Sequence, residues 1–175
     1  RDRRQGFWTY AYRHLFQKLQ VPEARAEYLV SQLMNRGIAL EDIQADDEAR
    51  PTLASLREQG LVTGMVSNAG QGLDEVCQAI GLASFLDHII ASGMAGAEKP
   101  DPQIFHFAAQ QAGLPPESII YIGDDYYKDV EGAEQAGMTG LLLDRRGEYT
   151  DVECRRVETL SGVLDFVAQS SQLQR

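Results

Sequence analysis

Residues 121–130 read YIGDDYYKDV, and the apolar run SIIYIG at 118–123 leads directly into them. A short apolar run bounded by turn residues reads as a buried strand. Asp124, Asp125 and Asp129 therefore stand together where that strand reaches the surface. Like charges at this spacing repel, and each carboxylate favours the protonated form of its neighbour. A positive group is needed to hold the cluster. The chain has only Lys18, Lys99 and Lys128 as lysines, so each can be weighed.

Outward from this stretch, helix and strand patterns alternate. On the C-terminal side, DVEGAEQAG (129–137) reads as a helix, TGLLLD (139–144) as a strand and SGVLDFVAQS (161–170) as a last helix. The intervening RRGEYTDVECRRVETL (145–160) reads as a run along the sheet edge, without chemistry of its own. On the N-terminal side, DPQIFHFAAQQAG (101–113) carries Pro102 early and Gly113 late, the punctuation of a helix. DHIIAS (87–92) and LVTGMVSN (61–68) read as strands. Leu73, Val76, Cys77 and Ile80 mark a helix stopped by Gly81, and RPTLASLREQG (50–60) another. Strands alternating with helices imply a parallel sheet covered on both faces, a three-layer Rossmann-like α/β architecture. Residues 1–45 have a different texture. Phe7, Tyr10, Ala11, His14, Leu15 and Leu19 recur at helical spacing. Pro22 opens a second helix with Ala26, Leu29, Val30 and Leu33 as its stripe. The expected division is a helical segment at 1–45 and an α/β core at 46–175.

Composition narrows the function. The net charge of −10 argues against general nucleic-acid binding, so an acidic substrate needs a local positive site. Cys77 and Cys154 form neither a close pair nor a metal spacing and read as reduced thiols, which suits a cytoplasmic setting. His14, His88 and His106 are scattered, which speaks against a histidine metal site. No apolar run approaches the ~18 residues of a membrane span.

In open parallel sheets ligands bind at the carboxyl ends of the strands. Three features sit there. Ser67-Asn68 ends one strand, before a loop with Gly70 and Gly72 and then a helix; it reads either as a phosphate-binding turn or as an ordinary helix cap. Lys99 follows the next strand, in the loop GMAGAEKP, either as an anion partner or as a solvated lysine. The acids at 124–129 follow the third. A hard divalent cation with oxygen ligands would relieve their repulsion, and Mg²⁺ is the usual choice. Trp8, Tyr10 and Tyr12 read as core residues or as pocket lining. Tyr126 and Tyr127 flank the acids and are equally open.

The ordered set MVSNAG (65–70), EKPDPQIF (98–105) and IGDDYYKDVEGAEQAGM (122–138) resembles the haloacid dehalogenase (HAD-like) superfamily, in its helical-cap, phosphatase-like branch. The resemblance covers residues 46–145 in detail and makes residues 1–45 the later part of a helical cap. It implies a Mg²⁺-dependent hydrolase of phosphate monoesters acting on a small phosphorylated metabolite. Ser67 and Asn68 would bind the phosphoryl group, and Lys99 would neutralise its charge. Asp124 would ligate Mg²⁺, Asp125 would be a second or water-mediated ligand, and Asp129 would orient Lys99. The resemblance also implies a first strand bearing an Asp-x-Asp nucleophile in the middle of the sheet, between the strands ending at Ser67 and Gly123. Asp2 and Asp46-Asp47 follow no apolar strand, so this central strand is missing and the chain reads as a fragment. Two rivals remain: a 2-haloacid dehalogenase-type hydrolase, which needs no acidic metal cluster, and a non-catalytic interaction protein on a decayed scaffold.

Overall fold

A computed structural model describes residues 10, 13–36, 43–69 and 72–173. The chain divides into two compact units, residues 1–43 and 44–175. In the first, residues 13–18 are helical and α1 spans Glu23–Arg36. Ala26 and Val30 of its expected stripe are buried and Leu29 is half-buried. Leu15 and Leu19, also expected to be apolar contacts, are exposed, as is Tyr10. Phe7, Trp8, Ala11 and Tyr12 lie outside the described residues. Arg13 donates to both carboxylate oxygens of Glu27, at 2.6 and 2.8 Å. Both partners are exposed, so the pair sets geometry more than stability.

The second unit is an α/β fold. Helix α2 (Ala49–Glu58) leads to β1 (Gly64–Ser67), α3 (Leu73–Ala79), β2 (His88–Ala91) and a short turn of helix, α4 (Ser92–Ala95). Then come α5 (Pro102–Ala112), β3 (Ile120–Gly123), α6 (Gly132–Gln135), β4 (Thr139–Leu143), β5 (Arg156–Val157) and α7 (Gly162–Leu173). The local causes are legible. Asp101 caps α5 by accepting from the Gln103 amide at 2.9 Å, Pro102 occupies the first turn, and Gly113 ends the helix at φ +65°. One layer packs Phe105, Ile104 and Ala109 of α5 against Ala133 of α6 and Ala136 just after it. On the other face Leu56 of α2 meets Leu141, Val163 and Val167.

All strand pairs are parallel, but they form two sheets: β1 with β2, and β3 with β4 and β5. No strand lies between β1 and β3 among the described residues. A cavity of about 980 Å³ occupies that place. Its effect on burial is direct. Gly140, Leu141 and Leu142 of β4 are buried, whereas every residue of β3 is only half-buried although its sequence is apolar. Leu61 and Val62, expected to begin the first strand, lie ahead of β1 and are 40% and 52% exposed.

Two elements differ from expectation. The helix expected at 129–137 begins earlier, as a π-helical turn over Tyr126–Glu131 that continues into α6. The edge run contains a strand, β5. It is joined to β4 by Leu142 donating to Arg155 O and Asp144 donating to Val157 O, both at 2.9 Å. Asp144, buried at the end of β4, accepts from the Glu148 amide at 2.9 Å and from Arg156 at 3.3 Å.

Candidate functional site

Ser67 is the last residue of β1. Its Oγ accepts from the Ala69 amide at 3.1 Å, which leaves the hydroxyl proton free to donate to a ligand. Asn68 faces the loop that carries Lys99. Its amide nitrogen donates to Lys99 O at 2.9 Å, and its Oδ1 accepts from the Lys99 amide at 2.7 Å. This two-bond clasp fixes the lysine backbone beside the end of β1. The Lys99 ammonium then reaches Asp129 Oδ1 at 2.6 Å, with both side chains largely enclosed. The second oxygen of Asp129 accepts from the Asp125 amide at 3.1 Å. A chain of contacts thus runs from β1 through Asn68 and Lys99 to the turn after β3.

That turn is built around Asp129. The carboxylate is 4% exposed and lies against the Cα of Gly123, where a Cβ would overlap its side chain. Only glycine at the end of β3 lets Asp129 fold back beneath the rim. Asp125 caps the π-helical turn. Its Oδ1 accepts from the Lys128 amide at 3.0 Å, and its Oδ2 pairs with the Lys128 ammonium at 2.5 Å. Asp124 is exposed, and its side chain makes no hydrogen bond or ion pair among the described residues.

The charges are tuned accordingly. Burial disfavours the Lys99 ammonium, but Tyr121 and Asp129 outweigh it and hold its pKa above the ordinary lysine value. Burial likewise works against the Asp125 carboxylate. Hydrogen bonds from Lys128 overcome it and leave that group below the usual range. Tyr121 is pushed up to about 12, chiefly by burial, and stays a neutral phenol.

Tyr121 is the site residue that sequence reasoning missed. Its ring stands edge-on to Phe105 at 4.8 Å and lies 5.6 Å from the Lys99 ammonium. Its hydroxyl donates to Val66 O at 3.4 Å, a contact that crosses from β3 to β1. The signal was available: a tyrosine in a strand flanked by aliphatic residues needs a partner for its hydroxyl. Gly70 lies outside the described residues. Cys77 is buried against Met65, and His106 is exposed on α5, so neither joins the site.

The chemistry of the donor set bears on the expected Mg²⁺. Among the described residues no group of three or more histidine, cysteine, aspartate or glutamate side chains is arranged to hold a metal ion. Asp125, expected as a second ligand, is occupied by Lys128, and Asp129 by Lys99. Asp124 remains uncommitted. Mg²⁺ is commonly held by one or two carboxylates together with water and substrate phosphate, so a single free carboxylate at the rim fits as part of such a set.

Parallel strands, with the Lys99–Asp129 pair and the exposed Asp124 carboxylate at their carboxyl edge, make this an α/β protein. The chain belongs to the haloacid dehalogenase-like hydrolase family, whose profile matches residues 4–137. It is 39% identical to a glyceraldehyde 3-phosphate phosphatase of Methanopyrus kandleri over 107 residues, 60% of this chain and 45% of that protein. It is 31% identical to haloacid dehalogenase-like hydrolase domain-containing protein 3 of Danio rerio over 151 residues, 85% of this chain and 62% of that protein. Among solved structures, the L-2-haloacid dehalogenase RSc1362 superposes with a TM-score of 0.73 at 25% identity, over 93% of this chain and 72% of that one. The chain thus spans roughly half to three-fifths of the length of these curated relatives.

Proposed function

We propose that the protein containing this chain hydrolyses phosphate monoesters of small metabolites with the help of Mg²⁺. The observation that carries the reading is the enclosed Lys99–Asp129 pair, held at the strand ends by Asn68 next to an uncommitted Asp124. Lys99 meets the charge on the transferring phosphoryl oxygens, with Asp129 keeping its ammonium aimed and protonated. Ser67 donates a neutral hydrogen bond to the same group. Asp124 holds the cation, which supplies charge neutralisation of the phosphate when bound. Such positioned charge is the main contribution a protein makes to phosphoryl transfer. Asp125 caps the turn and stands beside Asp124 as a second or water-mediated ligand. The nucleophilic carboxylate comes from a segment other than the described residues, and residues 1–45 are the cap portion. The phosphatase relative of Methanopyrus kandleri supports this reading. The likeness to a solved dehalogenase keeps one rival in play: displacement of halide from a 2-haloacid.

The test is turnover by the full-length protein of p-nitrophenyl phosphate and of 2-chloropropionate, each with Mg²⁺ and with EDTA. Phosphate release that stops in EDTA and is largely lost in Asp124→Asn is expected. Halide release undiminished by EDTA, without phosphate release, overturns the reading in favour of the dehalogenase. The 175-residue chain by itself is expected to turn over neither compound.

A further inference from the structure

We propose that Tyr121 is a positioning residue for Lys99: its ring, braced by Phe105, is the wall that keeps the ammonium at the strand ends beside Asp129. The inference rests on the reading that Lys99 meets a phosphoryl group, and it supplies what holds the lysine there.

The Lys99 backbone is fixed by the Asn68 clasp, and its ammonium by one oxygen of Asp129 at 2.6 Å. Between these two anchors runs a flexible alkyl stem. One ion-pair contact fixes the distance to a single oxygen and leaves the direction of approach open. Tyr121 sets that direction. Lys99 Nζ stands over the phenol ring, 5.6 Å from its centre. That is within the reach of about 6 Å over which a ring face attracts a cation. Lys99 and Asp129 are both largely enclosed, so water screens these contacts little.

The ring is held from behind. Phe105, fully buried, meets it edge-on with centres 4.8 Å apart and planes at 77°. Gly132 backs Phe105 in turn. A Cβ on Gly132 would stand 2.9 Å from the Phe105 ring and 3.0 Å from Pro100 O. The absent side chain therefore lets the start of α6 press on the aromatic pair and on the backbone that follows Lys99. Ala97 and Val66 belong to the same cluster. Residues from β1, β3, α5 and α6 thus all bear on this one wall.

The wall is also uncharged. Burial is the main reason that Tyr121 is pushed up to about 12, so the phenol is neutral at pH 7. A carboxylate in its place would hold the ammonium as firmly. It would also add an anion to a rim that already carries Asp124, Asp125 and Asp129, and so oppose a phosphate. An aromatic ring confines the ammonium without adding charge.

The test uses the full-length protein, with p-nitrophenyl phosphate and Mg²⁺ for turnover and NMR of the Lys99 Hε protons for position. Those signals are assigned by their loss in Lys99→Met. In wild type they are expected upfield of the signals of the exposed Lys18, because a ring shields protons above its face. Tyr121→Leu should abolish that displacement and lower kcat about tenfold with KM little changed. Tyr121→Phe keeps the ring and should retain both the displacement and the turnover. In a Lys99→Met background Tyr121→Leu should cost nothing further, since the ring acts only through the lysine. An equal cost with and without Lys99 would show core packing alone and overturn the proposal. A loss in Tyr121→Phe as large as in Tyr121→Leu assigns the effect to the hydroxyl and overturns the wall. If Tyr121→Leu does not fold by circular dichroism, or wild type releases no phosphate, the wild-type shift decides. Displaced Lys99 signals uphold the wall, and signals at the Lys18 position overturn it. Absence of phosphate release by itself counts against the phosphatase reading only.

Discussion

At the residue scale, the acids after β3 have their repulsion resolved by division of labour. Asp129 folds inward to Lys99, Asp125 turns back to Lys128, and Asp124 faces solvent. The need for a positive partner was legible in the spacing of the acids, and the scarcity of lysines pointed to Lys99. The Asn68 clasp was not legible, because it joins residues 31 apart through side-chain-to-backbone bonds that leave no local pattern. Removing one member of an enclosed ion pair strands the other. Lys99→Met is therefore expected to destabilise the chain by about 3 kcal/mol in urea unfolding at pH 7. Because the folded lysine pKa is raised, its contribution is complete below the unfolded value of about 10.4 and fades as pH rises through the folded one. The gap between wild type and variant should hold from pH 7 to 9 and shrink above about pH 10. Gly123→Ala forces Asp129 out of its position and should lower stability by about 1–3 kcal/mol. In the full-length protein it should reduce turnover as well, whereas wild-type stability and rate in this variant would show that Asp129 has room to move.

At the scale of elements, helix and strand order followed from apolar periodicity and from Pro and Gly punctuation. The boundaries that shifted have physical causes. Asp125 recruits the Lys128 amide as a cap and starts the helical turn at Tyr126, ahead of the apolar pattern that marks α6. Strand β5 escaped notice because two residues carry no alternation; Asp144 and Arg156 hold it instead. Asp125→Ala deletes the cap and is expected to cost about 1 kcal/mol in thermal or urea melts. The pairing with Lys128 adds little, since that lysine is exposed and screened. The sign with pH is opposite to that of Lys99. The lowered Asp125 pKa contributes stability above the unfolded carboxyl value of about 3.9, and this is lost as pH falls through the lower folded value. Wild type and Asp125→Ala should therefore converge in stability as pH falls below the unfolded carboxyl value and through the lower folded one. A difference that persists unchanged there would assign the effect to something other than the cap.

At the scale of the whole molecule, the gap between the two sheets governs behaviour. Its existence was legible only through family resemblance, because apolar periodicity reports that β1 and β3 are strands but not what lies beside them. Partners across a sheet are set by non-local pairing, and the sequence of a strand looks the same whether its neighbour is present or absent. The physical trace is in the backbone. Tyr121 and Leu141 have their amides in the β3–β4 ladder, as the register and the Thr139 to Ile119 bond require. Ile120 and Ile122 direct theirs into the cavity, and so do Gly64 and Val66. Amide exchange separates the two sets, because a hydrogen-bonded amide exchanges only on opening while one facing a wet cavity exchanges directly. In the 175-residue chain at neutral pH, the amides of Ile120, Ile122 and Val66 should exchange much faster than those of Tyr121 and Leu141, although Ile120 and Ile122 share strand β3 with Tyr121. The alternation of fast and slow along β3 is the decisive feature, since general looseness of the strand would speed every residue alike. Uniform protection from Ile120 to Gly123 would mean that the cavity edge is already paired in solution.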